Sequence, residues 1–366
     1  MNILQSSRIG STMLVIFSCI LPANATPTVT GHTSDFKHGS TARITGSGFG
    51  VKSPAKPYLW APFDGSAQPS NLGVVTNWSL SNMVYGSGQG YSGTGGLVSS
   101  GKEPWTAKVN ASGFAWNDYG QKMFLFRRVR RNFDITSDMN WKTIRVWADH
   151  SKTGTNYPNW YLATSNNRLY VEGIKAGSWV PGGGRGSANA WRTDEFVIQA
   201  NSSASVADGI FLYTVDSEVV ESLPRPGTSP SDVKDRWKMK DNSSSGSAPM
   251  TEFYPVHGVM AVVTVPSHYR YWVDDVYIDT TWARVVVGNH PTLEDSTHRE
   301  IQIPRTWSSS SIEVLVNLQS FPDDEPRYLF VVDLDGNASP GYRLDSKPLD
   351  SKPLPKPSSV TVEQEG

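Results

Sequence analysis

Residues 268–289, HYRYWVDDVYIDTTWARVVVGN, constrain the fold more than any other stretch of this chain. Aromatic, charged and β-branched residues alternate through the stretch, and it contains no cluster of helix-forming residues. Alternation with a period of two is typical of a half-buried strand. The stretch therefore predicts one or two long strands near the middle of a sheet.

Residues 58–290 repeat this kind of pattern between loops rich in glycine and serine. Candidate strands lie at 123–132, 143–149, 160–164, 168–171, 195–200, 209–215 and 258–265. The segment shows no convincing amphipathic helix. Many short strands separated by turn signals predict an all-β fold, a two-sheet sandwich or jelly roll.

The first 25 residues have the layout of a secretory signal peptide. Arg8 precedes a short apolar run at 13–21, and an A-x-A site ends at Ala25. We expect a mature chain from Thr26 that is secreted or periplasmic, because the apolar run is too short to span a bilayer. Lipidation at Cys19 is the alternative. Since Cys19 is the only cysteine, thiol catalysis and cysteine metal sites are excluded from the mature chain.

The other end of the chain, residues 346–366, is a tail rich in proline and lysine, and a tandem DSKPL repeat begins at Asp345. Such a run predicts an extended tail that buries nothing. The 366 residues carry a formal net charge of −1, which gives no general attraction to nucleic acid. We expect a monomer without a membrane span.

Residues 27–57 contain HGSTARITGSGFGVKSPAKP, in which Ala42 and Ile44 share one strand face and Phe49 lies between glycines. The segment resembles the opening of an IPT/TIG immunoglobulin-like domain. A glycine-rich phosphate loop is the alternative, but no helix pattern follows the glycines. Residues 307–344 alternate in the same way before a turn at 335–336, and they resemble the closing strands of that family.

These two resemblances imply a small immunoglobulin-like β domain that is split in the sequence. Residues 27–57 would pair with residues 299–345 across the large insertion at 58–290. Two independent flanking pieces are the alternative.

The insertion resembles the concanavalin-like lectin and glucanase jelly rolls at two places. EFVIQANSSASVADGIFLYTVDSEVVES, residues 195–222, is similar to a strand, loop, strand and acidic turn of that superfamily. WVDDVYID, residues 272–279, is similar to its late strand. Members of this kind bind glycans across the concave face of one sheet, so the resemblance implies an extracellular polysaccharide as the partner.

Two strands mix charged and aromatic residues in a way that suits a sugar. Arg145 and Trp147 share one face of the strand at 143–149, and an indole stacks on sugars while arginine binds carboxylates. A solvent-facing sheet surface is the alternative. Arg128 and Arg130 form a local basic site in the strand at 123–132. An edge strand protected by charge would look similar.

Retaining glucanases of this superfamily carry alternating acidic residues on one strand, which set two carboxyl groups about 5 Å apart. No such strand occurs here, so retaining hydrolysis is disfavoured. Polysaccharide lyases share the scaffold, and the resemblance implies β-elimination on a uronate-containing polysaccharide. That reaction needs carboxylate neutralisation and proton transfer by Arg, Gln, His or Tyr. The alginate lyase patterns Q-[IV]-H and Y-F-K-A-G-x-Y are missing.

Residues of the required types define the candidate site. Candidate catalytic residues are Arg128, Arg145, His150, Tyr161, Gln199, His268 and Tyr271, and candidate substrate-binding residues are Arg130, Trp147, Tyr269 and Tyr213. A non-catalytic carbohydrate-binding protein and a structural or adhesion protein remain the alternatives. We expect no required cofactor. Asp274, Asp275, Asp279 or Asp208 supply ligands for calcium, or they close turns instead.

Overall fold

The computed structural model describes residues 26–33, 36–109, 120–135, 140–148, 159–165, 168–171, 178–181, 187–200, 202–203, 206, 208–223, 250–261 and 265–344. Every regular element in these ranges is a β-strand, so the prediction of an all-β fold is confirmed. No helix in the described ranges is long and apolar enough to cross a bilayer.

The strands β1 to β11 span Thr28–His32, Thr41–Ser47, Leu59–Ala61, Trp78–Ser81, Met83–Gly86, Gly96–Ser99, Trp105–Val109, Lys122–Arg131, Asn140–Ala148, Asn159–Ser165 and Arg168–Val171. The strands β12 to β22 span Ser178–Pro181, Trp191–Gln199, Ile210–Val215, Glu218–Leu223, Met250–Ala261, Tyr271–Asp279, Arg284–Gly288, Arg299–Trp307, Ser311–Leu315, Tyr328–Val332 and Tyr342–Arg343.

These strands form three antiparallel sheets. Sheet 1 has the order β12-β11-β10-β9-β16-β7-β4, and sheet 2 has the order β15-β14-β13-β8-β17-β6-β5, with β3 pairing to β17. The terminal sheet has the order β1-β2-β20-β19-β18-β21-β22. Neighbours in the sheets are often distant in the chain, because each sandwich layer collects strands from both halves of the sequence.

The core of the sandwich lies between sheet 1 and sheet 2. Trp105 and Trp141 enter this core from sheet 1, whereas Leu125, Phe196 and Val273 enter it from sheet 2. All five are buried. Each buried side chain of this size stabilises the fold by roughly 1.5–3 kcal/mol relative to exposure, so this contact holds the two sheets together.

Arg127 of β8 crosses the same core and binds both sheets. Its guanidinium donates to Asp194 Oδ2 of sheet 2 at 3.1 and 2.8 Å. It also donates to the carbonyl oxygens of Thr143 and Pro255 in sheet 1, at 2.7 and 2.5 Å. A buried arginine costs free energy unless its donors are satisfied, and here satisfying them ties sheet 1 to sheet 2.

The terminal sheet combines strands from the two ends of the chain. β2 pairs with β20, so that Ala42 lies opposite Val314 and Ile44 lies opposite Ile312. These side chains are buried in one apolar cluster with Phe49. A Cβ atom at Gly46 would collide with the Thr28 carbonyl and the Phe49 ring, which explains a glycine at this position.

Residues 268–289 form two strands that belong to different sheets. β17 lies between β6 and β8 in sheet 2, whereas β18 pairs with β19 and β21 in the terminal sheet. The predicted sandwich segment of residues 58–290 includes β18. The pairing instead assigns β18 to the terminal sheet, because the chain passes from one sheet to the other at residues 280–283.

The terminal sheet packs on the outer face of sheet 2. The apolar contact contains Trp60, Phe124, Phe126, Tyr277, Trp282, Val286, Leu293, Ile301, Ile303, Phe330 and Val332. Ion pairs surround it, namely Lys52–Asp279 at 2.5 Å, Arg128–Glu300 at 3.1 Å, Arg299–Glu195 at 3.2 Å and Lys122–Asp335 at 3.3 Å. This part of sheet 2 is therefore closed to a large ligand.

A β-bulge in β17 changes which of its residues share a face. Simple alternation places Tyr271, Asp275 and Tyr277 on one face, where they would form a groove floor or a strand surface. In the structure Tyr271 lies in the sandwich core, whereas Tyr277 packs against the terminal sheet. The register shifts between Asp274 and Tyr277, and Asp275 has a φ of 49°, so the alternation changes phase at this bulge.

Candidate functional site

The outer face of sheet 1 carries a cluster of basic and aromatic side chains. Ile144 and Phe253 are buried in the core, so the neighbouring Arg145 and Tyr254 project to the outer side. The same alternation places Lys108 on this side, because Ala107 and Val109 are core residues. We call this surface the basic face and define it as Lys108, Lys142, Arg145, Tyr254 and His257.

Strand register places Arg145 at the centre of the basic face. Arg145 of β9 lies directly opposite Tyr161 of β10 and opposite Tyr254 of β16. Trp147, two residues further along β9, pairs with Asn159 and Glu252 on the same two neighbouring strands. Directly opposite residues have Cβ atoms about 4.5–5.5 Å apart, so Arg145 is within reach of both neighbouring strands.

Ring contacts join the other members of the basic face. Lys108 Nζ lies 5.7 Å from the centroid of the Tyr254 ring. The rings of Tyr254 and His257 meet edge to face with centroids 5.3 Å apart. His257 is buried, and its Nδ1 atom has no hydrogen-bond partner among the described residues. The imidazole and phenol rings are therefore held together on this face, with the Nδ1 atom shielded from solvent.

The electrostatics of the basic face keep His257 neutral. Burial, together with the positive charges of Arg145, Lys142 and Arg127, lowers the pKa of His257 to about 3. A neutral imidazole is able to accept a proton, whereas the imidazolium ion is not. The same cations would attract an anionic ligand to the surface.

His257 and Tyr254 were missed by the sequence analysis. Because Pro255 and Gly258 flank it, His257 has the pattern of a turn residue, and this interpretation is wrong. His257 lies inside β16, where register shifts at 253–256 and 254–259 accommodate the proline and the glycine. A Cβ atom at Gly258 would meet the rings and backbone of Trp141 and Trp105, so the glycine allows close packing of sheet 1 on its core.

Three of the predicted residues thus belong to adjacent positions of sheet 1, namely Arg145, Trp147 and Tyr161. Tyr213 and Tyr271 lie elsewhere, in the sandwich core, each with 2% of its surface exposed. Tyr213 donates to Asp194 Oδ1 at 3.1 Å, and the Tyr271 ring meets Trp141 at 5.1 Å. Burial between two sheets leaves no access for a polymer, so these positions favour a packing role.

Arg128 lies between sheet 2 and the terminal sheet with 1% of its surface exposed. Its Nη1 atom donates to Asp275 at 2.6 Å and to Glu300 at 3.1 Å. Arg130 lies further along β8 on the same outer side and is partly exposed. Arg128 is therefore occupied by two carboxylates, whereas Arg130 is the more accessible of the two.

The remaining candidates lie at the edges of the sandwich. His268 and Tyr269 precede β17, and the Tyr269 ring stacks on Phe133 with centroids 4.5 Å apart. Gln199 ends β13, opposite Lys122 and Ile210. His150 lies outside the described residues. The structure thus distributes the predicted residues over several surfaces, and their roles stay predictions.

Among the described residues, no group of three or more His, Cys, Asp and Glu side chains is arranged to hold a metal ion. Asp279 binds Lys52 and accepts from Tyr277 at 3.0 Å, whereas Asp275 binds Arg128. Asp274 accepts from the backbone amides of Tyr91 and Asp275. The aspartates of β17 are thus bound to separate partners, and calcium binding stays a prediction.

Comparisons with known proteins add no family. No protein-family model matches the sequence, and a search of curated proteins gives no match. Among solved structures, an endo-β-1,4-glucuronan lyase from the fungus Trichoderma reesei is similar, with 14% identity and a TM-score of 0.43 over 62% of this chain and 97% of that one.

Two further solved structures are similar to this chain over nearly their whole length. A carbohydrate esterase of the Shiga toxin-encoding bacteriophage phi24B has 14% identity and a TM-score of 0.37 over 61% of this chain and 97% of that one. An alginate lyase in complex with an alginate trisaccharide has 13% identity and a TM-score of 0.32 over 70% and 99%. Similarity at this level carries no argument about function, so the function has to be argued from the site itself.

Proposed function

We propose that the basic face binds an acidic polysaccharide and cleaves it by β-elimination. The observation that supports this proposal is the combination of a neutral His257 with Tyr254, 5.3 Å away, beside the cationic Arg145 and Lys142. Elimination at a uronic acid needs a cation for the carboxylate, a proton acceptor for C5 and a proton donor for the leaving oxygen. The basic face contains all three types.

Arg145 and Lys142 neutralise the carboxylate, which makes the proton on C5 more acidic. His257 accepts that proton as the C5–H bond breaks. The electron pair forms the C4–C5 double bond, the C4–O bond breaks, and Tyr254 donates a proton to the departing oxygen. In the strand register, Tyr161 lies opposite Arg145 and Trp147 lies two residues further along β9.

Binding of the carboxylate also makes His257 a better base. Its pKa is lowered partly by Arg145 and Lys142, and an anion between these cations and the imidazole offsets their charge. The base therefore gains affinity for a proton only when substrate is present. The proposed action on an extracellular polymer agrees with the predicted signal peptide, and secretion is part of the same proposal.

The test is the ultraviolet absorbance of the unsaturated uronate while the protein is incubated with alginate, glucuronan, pectate or hyaluronan. We expect absorbance to rise with one of these polymers. Arg145→Ala should lower the rate by about 10²–10³-fold, and Tyr254→Phe and His257→Gln by about 10²–10⁴-fold each.

Matched controls are Arg305→Ala, Tyr342→Phe and His290→Gln, which change the same residue types on the terminal sheet or next to it. Each control should leave the rate within about twofold, as surface substitutions remote from a site normally do. A flat absorbance with every polymer would exclude elimination. Full activity in both Tyr254→Phe and His257→Gln would exclude the assigned proton transfers.

A further inference from the structure

A row of two tryptophans, one arginine and two valines crosses the outer face of sheet 2, beside the area that the terminal sheet covers. Trp191 of β13 lies opposite Arg130 of β8, and Arg130 lies opposite Trp272 of β17. The row continues through Val98 of β6 to Val84 of β5. We call these five residues the aromatic row.

The row is continuous and open to solvent. Trp191, Arg130, Trp272 and Val98 are partly exposed, and 49% of Val84 is exposed. In contrast, Trp60, Trp105 and Trp141 are at most 4% exposed. Five strands with four spacings of about 4.8 Å give the row a length of roughly 19 Å, enough for several sugar rings in line.

The two tryptophans are held in place by contacts with their neighbours. The Arg130 guanidinium carbon lies 4.2 Å from the Trp272 ring centroid and 5.2 Å from the Trp191 ring centroid. Trp272 Nε1 donates to Gln89 Oε1 at 3.1 Å, and Trp191 meets Tyr91 edge to face at 5.9 Å. The rings are thus oriented before a ligand arrives, which lowers the entropy cost of binding.

The surroundings of Arg130 indicate that the ligand of this surface carries a negative charge. Burial lowers the pKa of Arg130, and no carboxylate among the described residues forms an ion pair with it. The Nε atom of Arg130 is buried and has no hydrogen-bond partner among the described residues. Arg128, two residues earlier on this side, binds both Asp275 and Glu300. Arg128 is paired with carboxylates of the protein itself. A carboxylate of the ligand would give Arg130 the corresponding negatively charged partner.

We propose that the aromatic row is a second, non-catalytic binding surface for a uronate-containing polysaccharide, on the opposite side of the sandwich from the basic face. The sugar rings stack on Trp191 and Trp272, and Arg130 binds a carboxylate. In its choice of ligand the inference rests on the proposed function. In its location and its residues it is independent of catalysis.

The experiment measures retention of the full protein in gels that contain glucuronan or alginate, with a neutral β-glucan gel for comparison. We expect retention by the acidic polymer that the protein prefers. Trp191→Ala and Trp272→Ala should each weaken that affinity by about tenfold. Arg130→Gln should weaken it by about tenfold too, through loss of a charge-assisted hydrogen bond.

Val219→Ala and Arg305→Gln are matched controls, since both remove exposed side chains away from the row. Both should keep the wild-type affinity. Thermal unfolding identifies any variant that fails to fold. Quenching of tryptophan fluorescence by oligosaccharide in the wild-type protein gives a measurement that needs no variant.

Unchanged retention in the Trp191→Ala, Trp272→Ala double variant would overturn the inference. Equal retention by the neutral glucan would overturn the assignment to acidic sugars. A dimer that dissociates on Trp272→Ala would assign the row to a second copy of this chain instead. If retention depends on the aromatic row but no polymer gains a double bond, the binding surface stands and the proposed lyase function is excluded. If a polymer is cleaved by elimination but retention does not depend on the row, the lyase function stands and the binding surface is excluded.

Discussion

Arg127 and Arg128 are neighbours in β8, yet their side chains form contacts on opposite sides of sheet 2. Arg127 points into the sandwich core and joins sheet 2 to sheet 1. Arg128 points outward and joins sheet 2 to the terminal sheet, through Glu300 of β19. Alternation along a strand thus lets two consecutive arginines stabilise two different interfaces.

The two clusters differ in their balance of charge. Around Arg127, cations outnumber anions, because Arg192 lies 3.3 Å from the same Asp194 carboxylate that Arg127 binds. Around Arg128, anions outnumber cations, because Asp275 and Glu300 share one guanidinium. A buried cation-rich cluster and a buried anion-rich cluster respond differently to pH and to loss of their arginine.

The largest effect is expected from Arg127→Leu. The change leaves Asp194 buried with one cation fewer and the Thr143 and Pro255 carbonyls without this donor. Breaking a buried pair on one side typically costs about 3–5 kcal/mol of unfolding free energy. Urea unfolding measures the loss, and Asp194→Asn in the same chain should recover a part of it. A loss below about 1 kcal/mol would show that Arg127 does not hold the two sheets together.

Arg128→Leu should cost less, about 1–3 kcal/mol. Asp275, whose pKa is already raised, can take up a proton when its cation is lost, whereas the carbonyl partners of Arg127 cannot. Urea unfolding near neutral pH measures the loss, and Glu300→Gln on the Arg128→Leu background should restore a part of it. If Arg128→Leu lowers the unfolding free energy more than Arg127→Leu does, Arg128 contributes more to stability than Arg127, which contradicts this prediction.

Two aspartates of this cluster with raised pKa values predict that stability falls as pH rises, through Asp275 up to about pH 7 and through Asp274 up to about pH 9. Burial raises the pKa of Asp274 to about 9, with Asp275 adding to the rise. Burial also raises the pKa of Asp275 to about 7, against the opposing charge of Arg128. Below these values the folded protein keeps protons that the unfolded carboxyl groups have already released, so ionisation in the folded state costs stability.

Chemical unfolding from about pH 7 to about pH 9 measures the slope that Asp274 causes. Asp274→Asn should flatten it, whereas the exposed Asp295→Asn should not. His257 is neutral in both states above about pH 7, so it does not contribute to this slope. Stability that is constant or that rises over the range would show that Asp274 is already ionised in the folded protein at pH 7.

The smallest effect is expected at the exposed ion pair that joins the same two sheets. Lys122 and Asp335 lie 3.3 Å apart with 25% and 54% of their side chains exposed. Solvent screens such a pair, so Asp335→Asn should change the unfolding free energy by less than about 0.5 kcal/mol. A loss as large as that of Arg128→Leu would mean that burial does not explain the difference between the pairs.

The strand content of the chain followed from local pattern. The alternation in residues 123–132 and 168–171 predicted β8 and β11 to within one residue at each end. The faces of β8 also follow the alternation, with Phe124, Phe126 and Arg128 on the side of the terminal sheet and Arg127 in the sandwich core. These features depend on residues next to each other in the chain, and for that reason a sequence pattern reports them.

The candidate site was predicted only in part. Arg145, Trp147 and Tyr161 lie on neighbouring strands as expected for one surface, but Tyr254, His257 and Lys108 were not singled out. They come from β16 and β7, which are distant in the sequence from β9. Bulges in β16 and β17 changed which residues share a face, and bulges have only weak local signals.

The sequence by itself determined the strand type, the alternating faces of the regular strand β8 and the glycine turns, since each follows from neighbouring residues and backbone sterics. Tertiary structure decided the order of strands in the sheets, the covering of sheet 2 by the terminal sheet and the grouping of the basic face. Those features depend on contacts between distant segments. The free energy that stabilises those contacts comes from burying apolar surfaces, such as the one that includes Phe124 and Phe126, against a distant segment. A local sequence pattern does not show which segment will cover such a surface.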